Sequence, residues 1–275
     1  MGPGNEASGA AASAVKSADR ALRILELLST RTKPATLTEL SRELDIPASS
    51  LHGLLRTMQR RMWLEVDDTN TRFGLGIQAL LVGSSYTRAD DQVARAGAVL
   101  DWLNEVTGET VHYGRLEGAH VIYLAKRESR YQLRIYSAVG KRIPAHAASL
   151  GKAILAEGTD EEAVARLQWP LARLTRNTLG TEEALLADLE MARSRGYATE
   201  LEESDYGLGC VGVAVPGRAP QSDAISVAVP TARLDPERME QLAATLLEAK
   251  RLLSGHLAVP RDVVPDGGGF LRNLE

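Results

Sequence analysis

A short stretch of the sequence combines arginine with small polar residues at helical spacing. Placed on a helix at 100° per residue, these residues project from one side. Small side chains at a helix start allow close approach to a DNA groove, and Arg56, one turn later, can reach a phosphate or a guanine edge. The candidate DNA-binding residues of this stretch are Ser49, Ser50, His52, Gly53, Arg56 and Arg60.

The rest of this stretch predicts the helix that carries them. Pro47 suits a first helical position, and four apolar residues then repeat at i, i+3, i+4 and i+7. This inward stripe consists of Leu51, Leu54, Leu55 and Met58.

A second short amphipathic helix precedes it. Thr36 and Glu39 have the spacing of a capping box, and leucines follow at helical spacing. Asp45 and Ile46 form the turn, and aspartate is among the few residues that tolerate a left-handed backbone. Two short helices turned sharply against each other are typical of a helix-turn-helix reader of DNA.

Flanking segments complete a compact module. Upstream, an apolar stripe from Ala18 to Leu28 predicts a further helix, with Ser17 or Asp19 as its N-cap. Downstream, the pattern becomes alternating and turn-rich, which predicts a hairpin, or wing, ending in Arg72–Leu75. Arg72 lies near the predicted tip and joins the DNA-binding candidates. Spacing alone leaves open that the polar faces are only the solvated side of packed helices.

The region beyond residue 76 predicts a linker helix and then a mixed domain. Helical periodicity returns over 93–106, and three alternating segments at 110–116, 121–127 and 132–139 predict antiparallel strands. Helices over 149–156, 161–168 and 182–195, strands over 209–215 and 224–230, and a last helix from Pro236 to about Ser254 follow. Mixed helices and strands in this order predict an α+β domain.

Several residues of this second domain raise the question of catalysis. Gly207–Gly212 matches G-x-G-x-x-G, but an apolar run into Pro216 follows it, which indicates a strand and a turn instead of a dinucleotide-binding helix. Cys210 lies within that strand and lacks a nucleophile signature, and His146 fits a structural histidine better than a ligand contact. The histidines show no metal-binding spacing. We therefore expect neither catalysis nor a cofactor.

One helix start in the second domain suggests a ligand site. Small residues from Pro144 to Ala153 lead into a helix whose first N–H groups and dipole favour an anion such as a carboxylate. The alternative is a helix that Ser149 caps and that packs closely because its neighbours are small. The residues alone leave both open.

Composition and charge limit the remaining possibilities. The 275 residues carry a net charge of −4, but residues 1–75 hold ten basic and nine acidic side chains, so the first module is +1. Affinity from phosphate neutralisation is then limited for a single copy, and a dimer would double the contacts. No apolar run is long enough for a membrane span, the N-terminus lacks a signal peptide pattern, and the single cysteine excludes an intrachain disulfide. We expect a cytoplasmic protein without a membrane partner.

Two sets of residues resemble one protein family. The segments Lys16–Leu22, Leu44–His52 and Arg72–Gly76 look like the N-terminal domain of IclR-family transcriptional regulators. Pro144–Ala153, followed by 175–178, 195–198 and 207–210, is similar in order and spacing to the effector-binding domain of that family. The resemblance covers residues 16 to 255.

The resemblance implies an α+β protein in which a winged helix-turn-helix is joined by a linker helix to a GAF-like effector-binding domain. The implied parts are a flexible tail 1–15, DNA-binding domain 16–75, linker helix 76–90, effector-binding domain 91–255 and disordered tail 256–275. It also implies a dimer, or a dimer of dimers, on a palindromic DNA operator, acting as repressor or activator under a small organic effector, often a carboxylate or an aromatic molecule.

Carried over by position, the implied effector pocket has eight residues. They are Ser149, Leu150, Gly151, Glu200, Leu208, Cys210, Ser226 and Ala228. Glu200 stands where aspartate is frequent, and Ala228 replaces a frequent hydroxyl, so the pocket is expected to be less polar than one for a very small acid. Ala48 and Gly53 stand where basic residues are frequent, which leaves Arg56 and Arg60 more of the DNA contact. A small-molecule enzyme with an accessory helical domain, and a scaffold whose helices contact protein, are the alternatives.

Overall fold

The computed structural model describes residues 15–134, 137–216 and 222–255, in two compact units that divide between Tyr86 and Thr87. Each unit has its own apolar core. The predicted tails, 1–15 and 256–275, lie outside the described residues except for Val15. In the described part of the chain, no helix is both long enough and apolar enough to cross a membrane.

The first unit is a winged helix-turn-helix. Its core contains Ile24 of the first helix, Leu40 of the second, Leu51 and Leu55 of the third, and Phe73 of the wing. The three strands form a small antiparallel sheet in the order β1-β3-β2. Its elements are α1 Lys16–Ser29, β1 Ala35–Thr36, α2 Leu37–Leu44, α3 Ala48–Arg60, β2 Leu64–Val66 and β3 Arg72–Leu75, and α4 Ile77–Arg88 then runs into the second unit.

The ends of these helices test the sequence-based predictions. The capping box of α2 is confirmed, because Thr36 Oγ1 accepts the Glu39 N–H and Glu39 Oε2 accepts the Thr36 N–H. The predicted cap of α1 was wrong: α1 begins at Lys16, and neither Ser17 nor Asp19 caps it, since both lie inside the helix. The strand β1 was not predicted because it is only two residues long and its second residue, Thr36, is also the N-cap of α2.

The second unit is a six-stranded antiparallel sheet in the order β6-β5-β4-β9-β8-β7, with helices on both faces. Helices α5 and α9 share a core with one face, and α6, α7 and α8 share a core with the other. The elements are α5 Asp91–Thr107, β4 Thr110–Glu117, β5 His120–Arg127, β6 Arg142–Pro144, α6 Ser149–Leu155, α7 Asp160–Arg166, α8 Glu182–Arg195, β7 Ala198–Leu201, β8 Leu208–Val215, β9 Asp223–Pro230 and α9 Pro236–Leu253. The α+β class is the predicted one.

One predicted strand of this unit is wrong and two short strands were missed. The described positions of 132–139 are not a strand, because side chains take up their backbone groups: Arg233 donates to the Leu133 carbonyl and Lys126 to the Ser137 carbonyl. Instead, β6 lies just beyond this segment and pairs with β5. The other missed strand, β7, is only four residues long and forms the opposite sheet edge.

Candidate functional site

Helix α3 turns an apolar stripe inward and a polar side outward. Leu51, Leu55 and Met58 are buried, while Leu54 is only half-buried. Among the described residues, none hydrogen-bonds or ion-pairs with the side chains of His52 or Arg56. The residues predicted to bind DNA from this helix all occupy exposed positions: Ser49, Ser50, His52, Gly53, Arg56 and Arg60.

The turn before α3 fixes the angle at which this helix leaves α2. Asp45 adopts a left-handed backbone with φ of 53°, and its N–H bonds to the Ser41 carbonyl. The Ser41 hydroxyl donates to the Ile46 carbonyl at 2.6 Å, which closes the turn. The prediction that aspartate sustains this turn is confirmed, although Pro47 is the N-cap of α3 and not its first residue.

Hydrogen bonds hold the base of the wing in place beside α2. Asp67 Oδ1 accepts the N–H groups of Thr71 and Arg72, at 2.9 and 3.0 Å, and this holds the loop between β2 and β3 closed. The Arg72 side chain donates to the Pro34 carbonyl at 3.2 Å and lies 3.7 Å from Glu39 Oε2. Arg72 is exposed, but part of its hydrogen-bonding capacity is already used within the unit.

In the second unit, one face of the sheet collects most of the predicted effector residues. The valines of β8 and β9 point toward α5 and α9, so the alternate residues point to the other face. There, Glu200 of β7 is opposite Cys210 of β8, which is opposite Ala228 of β9. In the adjacent row, Gly212 is opposite Ser226. These small residues form the floor of a candidate site.

Glu200 places a buried carboxyl group at the border of this floor. Its Oε1 accepts the N–H groups of Glu203 and Ser204, at 2.8 and 3.0 Å, and the Ser204 hydroxyl at 3.2 Å. Among the described residues, its Oε2 has no hydrogen-bond partner. Burial raises the pKa of Glu200, and burial together with the nearby Glu200 raises the pKa of Cys210. The carboxylate oxygen without a partner can accept a hydrogen bond from a ligand.

The start of α6 lies over the floor, but its three predicted residues differ in role. Ser149 rests against Gly212, where an added Cβ would lie 3.0 Å from the Ser149 hydroxyl. Ser149 is the first residue of α6 and does not cap it, so the cap in the alternative interpretation was wrong, whereas the close packing against small neighbours is present. The Leu150 side chain is buried in the apolar core on this face. A Cβ on Gly151 would lie 2.2 Å from the Ala145 carbonyl oxygen, so Gly151 allows close packing.

A cavity of about 200 Å³ opens beside this floor. Leu208, which clusters with Cys210 and Ala228, connects the floor to the cavity wall. Two cationic side chains and one carboxylate line it together with apolar and hydroxyl groups. The lining residues are Tyr123, Ser137, Lys141, Arg142, Ile143, Pro144, Leu174, Ser204, Asp205 and Leu208.

Two aromatic residues at this site were not predicted from the sequence. The rings of His112 and Tyr123 stack with centroids 4.2 Å apart, and His112 Nε2 lies 2.7 Å from the Ser137 hydroxyl. Burial raises the pKa of Tyr123, and the nearby Glu200 raises it further. Strand alternation does not predict this pair, because an irregularity in β4 between Tyr113 and Gly114 shifts the register.

The residues weighed above as catalytic candidates lie in surroundings that favour a structural role. The raised pKa of Cys210 keeps its thiol protonated, which disfavours a nucleophilic role. His146 is buried and its Nε2 lies 2.9 Å from the Ala172 carbonyl oxygen. Gly207–Gly212 leads into β8, as predicted, and not into a helix. In the described residues, no group of three or more His, Cys, Asp or Glu side chains is placed to hold a metal ion.

A winged helix-turn-helix followed by an α+β unit with a buried cluster of polar and small residues defines a two-unit, DNA-binding regulator. Residues 17–68 match the family model of the IclR helix-turn-helix domain, and residues 84–255 match that of the bacterial transcriptional regulator IclR C-terminal domain. The chain belongs to the IclR family of transcriptional regulators.

Individual relatives cover nearly the whole chain. The HTH-type transcriptional regulator BhcR of Paracoccus denitrificans is 35% identical over 250 residues, 90% of this chain and 89% of that protein. The transcriptional repressor IclR of Escherichia coli is 30% identical, over 86% of this chain and 88% of that protein. The crystal structure of an IclR regulator from Alicyclobacillus acidocaldarius superposes with a TM-score of 0.78 at 27% identity, covering 88% of this chain and 99% of that one. These relatives are transcriptional regulators, and the chain is one by family.

Proposed function

We propose that this regulator binds a palindromic operator as a dimer, reads it with α3, and is controlled by a small organic effector bound in the second unit. The observation that carries the DNA part is the exposed side of α3, where His52 and Arg56 have no partner among the described residues. We assign DNA binding to residues 16–75, the linker to 76–90 and effector binding to 91–255, in the cytoplasm where its operator lies.

The surface of α4 supports a dimer. Although 12 residues long, α4 buries none of its side chains. Ile77, Leu80, Leu81, Val82 and Tyr86 are between 46% and 65% exposed. An isolated helix of this length is marginal in water, and a helix that exposes this much apolar surface is a candidate interaction site. A second copy that packs against α4 would stabilise it and would bring two α3 helices to one operator.

The cavity supports a small effector that carries a carboxylate, an aromatic ring or both. An engineered apolar cavity of about 150 Å³ accommodates benzene, so a space of about 200 Å³ fits one ring with a polar substituent. Lys141 and Arg142 at its wall favour an anion, and the Tyr123 ring offers a flat surface. We assign Ser149, Glu200 and the floor residues to effector contact; Leu208 borders both floor and cavity. Leu150 and Gly151 support the site through packing.

The experiment starts from the full chain and a random-sequence duplex library. Selection by the wild-type chain yields an enriched duplex, which is then titrated by fluorescence anisotropy at physiological salt. If Arg56 contacts a base, we expect Arg56→Ala to weaken binding by about 1–3 kcal/mol. If Arg56 contacts a phosphate instead, we expect the slope of log K against log salt to fall by about one. Arg251→Ala, an exposed arginine on α9, is the control for loss of one charge.

Two outcomes would contradict the proposal. Unchanged affinity of Arg56→Ala at physiological salt would refute the assigned role of α3. Sedimentation of the complex that shows one chain per selected duplex would refute the dimer, because a palindromic site requires two copies related by a two-fold axis.

A further inference from the structure

An open groove of about 650 Å³ separates the start of α1 from the side of α3 in the first unit. Lys16 and Arg20 of α1 line one wall, and Ser50, Gly53 and Thr57 of α3 line the other. Among the described residues, the lining contains two cationic side chains and no acidic one. The groove therefore combines a concave shape with positive charge.

Small residues of α3 keep this groove open. A Cβ built on Gly53 would meet none of the described residues within 4 Å, so in the described part of the chain the groove is open above the helix at that position. The Thr57 hydroxyl donates back to the Gly53 carbonyl at 2.9 Å, which directs it along the helix and leaves the groove unobstructed. The wall of α3 can thus approach a strand of DNA closely.

The two cationic side chains that line the groove are not engaged by other described residues. Lys16 is exposed and Arg20 half-exposed, and within residues 15–134, 137–216 and 222–255 neither side chain makes a hydrogen bond or an ion pair. By contrast, Arg23, one turn further along α1, donates to the Leu44 carbonyl at 3.0 Å. Lys16 and Arg20 are therefore available to a ligand, while Arg23 holds α2.

We infer that Lys16 and Arg20 bind the phosphates of the DNA strand that borders the major groove entered by α3. The major groove is about 12 Å wide, so a helix at its centre lies about 6 Å from each border. Packed helices have axes about 8–10 Å apart, which places the cations of a helix beside α3 near that border. The two side chains add charge that α3 lacks, because between Ala48 and Arg60 its only cations are Arg56 and Arg60. The inference rests on the proposed docking of α3.

The test compares salt dependence, which counts phosphate contacts. The full chain and its Lys16→Gln/Arg20→Gln variant are titrated against the selected duplex and against a random-sequence duplex of equal length. Two lost phosphate contacts reduce the slope of log K against log salt by about 1.8 per bound copy. Between 50 and 200 mM salt, the difference in affinity between the wild type and the variant should then shrink about 12-fold per copy. The loss should be equal for both duplexes, because phosphates carry no sequence information.

Matched variants separate charge from folding. Lys33→Gln/Arg251→Gln removes the same two charges from exposed positions outside the groove and should leave the slope nearly unchanged. Lys16→Arg/Arg20→Lys keeps both charges and should retain the wild-type slope; a slope as low as that of the glutamine variant would overturn the inference.

An unchanged slope in Lys16→Gln/Arg20→Gln would also overturn it. If Arg56→Ala still weakens binding in that case, only this inference fails. If Arg56→Ala has no effect either, the proposed docking of α3 fails with it.

Discussion

Replacing Lys152 by methionine should destabilise the second unit far more than the same change at Lys250. Lys152 is fully buried on α6, and its Nζ lies 2.8 Å from Glu203 Oε1 and 2.9 Å from Asp188 Oδ2. Lys250 on α9 makes a similar contact, 3.0 Å from Glu157 Oε1, but both of those side chains are substantially exposed. The two lysines therefore provide the same chemistry at different burial.

Burial determines the size of the two effects. Removing one partner of a buried ion pair leaves an uncompensated charge and costs about 3–5 kcal/mol. An exposed pair contributes about 0–1 kcal/mol, because water screens it. Methionine retains most of the lysine chain, so lost packing is a small part of the difference. We expect Lys152→Met to lower the unfolding free energy by about 3–5 kcal/mol, and Lys250→Met by less than about 1 kcal/mol.

The assay is urea unfolding of the full chain, followed by a probe confined to the second unit. Trp102 is buried on α5, and its fluorescence can be isolated by replacing Trp63 and Trp169 with phenylalanine. A separate probe matters because a chain of two units need not unfold in one step. Equal losses for the two lysine variants would refute the reasoning from burial.

The pH dependence tests the cause. Burial raises the pKa of Glu203, and Lys152 opposes that rise, so removing Lys152 raises the pKa further. A carboxyl group whose folded pKa exceeds its unfolded pKa takes up a proton more readily in the folded state, so folded stability increases as the pH falls. The deficit of Lys152→Met should therefore shrink between pH 7 and pH 5. A constant deficit would indicate a packing effect.

Three further predictions concern the candidate sites. Ser149→Trp has no room over Gly212 and should abolish the response of DNA binding to an effector without changing DNA affinity in its absence, which the anisotropy assay with an added metabolite panel measures. Gly53→Ala should stabilise α3 by about 0.5–1 kcal/mol, measured by Trp63 fluorescence during urea unfolding, because its Cβ meets nothing and alanine favours a helix. Burial lowers the pKa of His112 from 6.5 to about 3. The unfolded chain therefore binds a proton at His112 below about pH 6.5, whereas the folded chain does not. Between pH 7 and pH 5 the free energy of unfolding of the wild type should fall by about 2 kcal/mol more than that of His112→Phe. Equal losses would mean that the ring is protonated in the folded chain.

The helices of the helix-turn-helix could be predicted from the sequence because the signals for their ends and buried faces are local. Thr36 with Glu39 forms the expected capping box at the start of α2. Each signal spans three or four residues, so no tertiary information is needed to interpret it. The apolar periodicity of α3 is equally local, although it does not distinguish the buried Leu51 from the half-buried Leu54.

The candidate effector site was predictable only in part because its geometry depends on distant pairings. β6 and β7 are short edge strands whose identity depends on their partners β5 and β8. Tyr123 of β5 and Leu208 of β8 line the same cavity, although two strands, β4 and β9, lie between theirs in the sheet. The register irregularity in β4 cannot be read from alternation, so the partnership of His112 and Tyr123 had no signal in the sequence.

The two buried ionic clusters of the second unit hold the ends of elements instead of filling its core. Arg115 on β4 donates to Asp223, the first residue of β9, and to Asp90, the N-cap of α5. Lys152 holds Glu203, whose N–H binds Glu200 at the border of the candidate site. Buried ion pairs often contribute little net stability compared with apolar replacements of the same shape, so stability alone does not account for them. Their geometry fixes where β9 begins and where the loop after β7 folds back. The carboxylate of Glu200 and the floor residues of β9 are thereby held in one arrangement before any ligand binds.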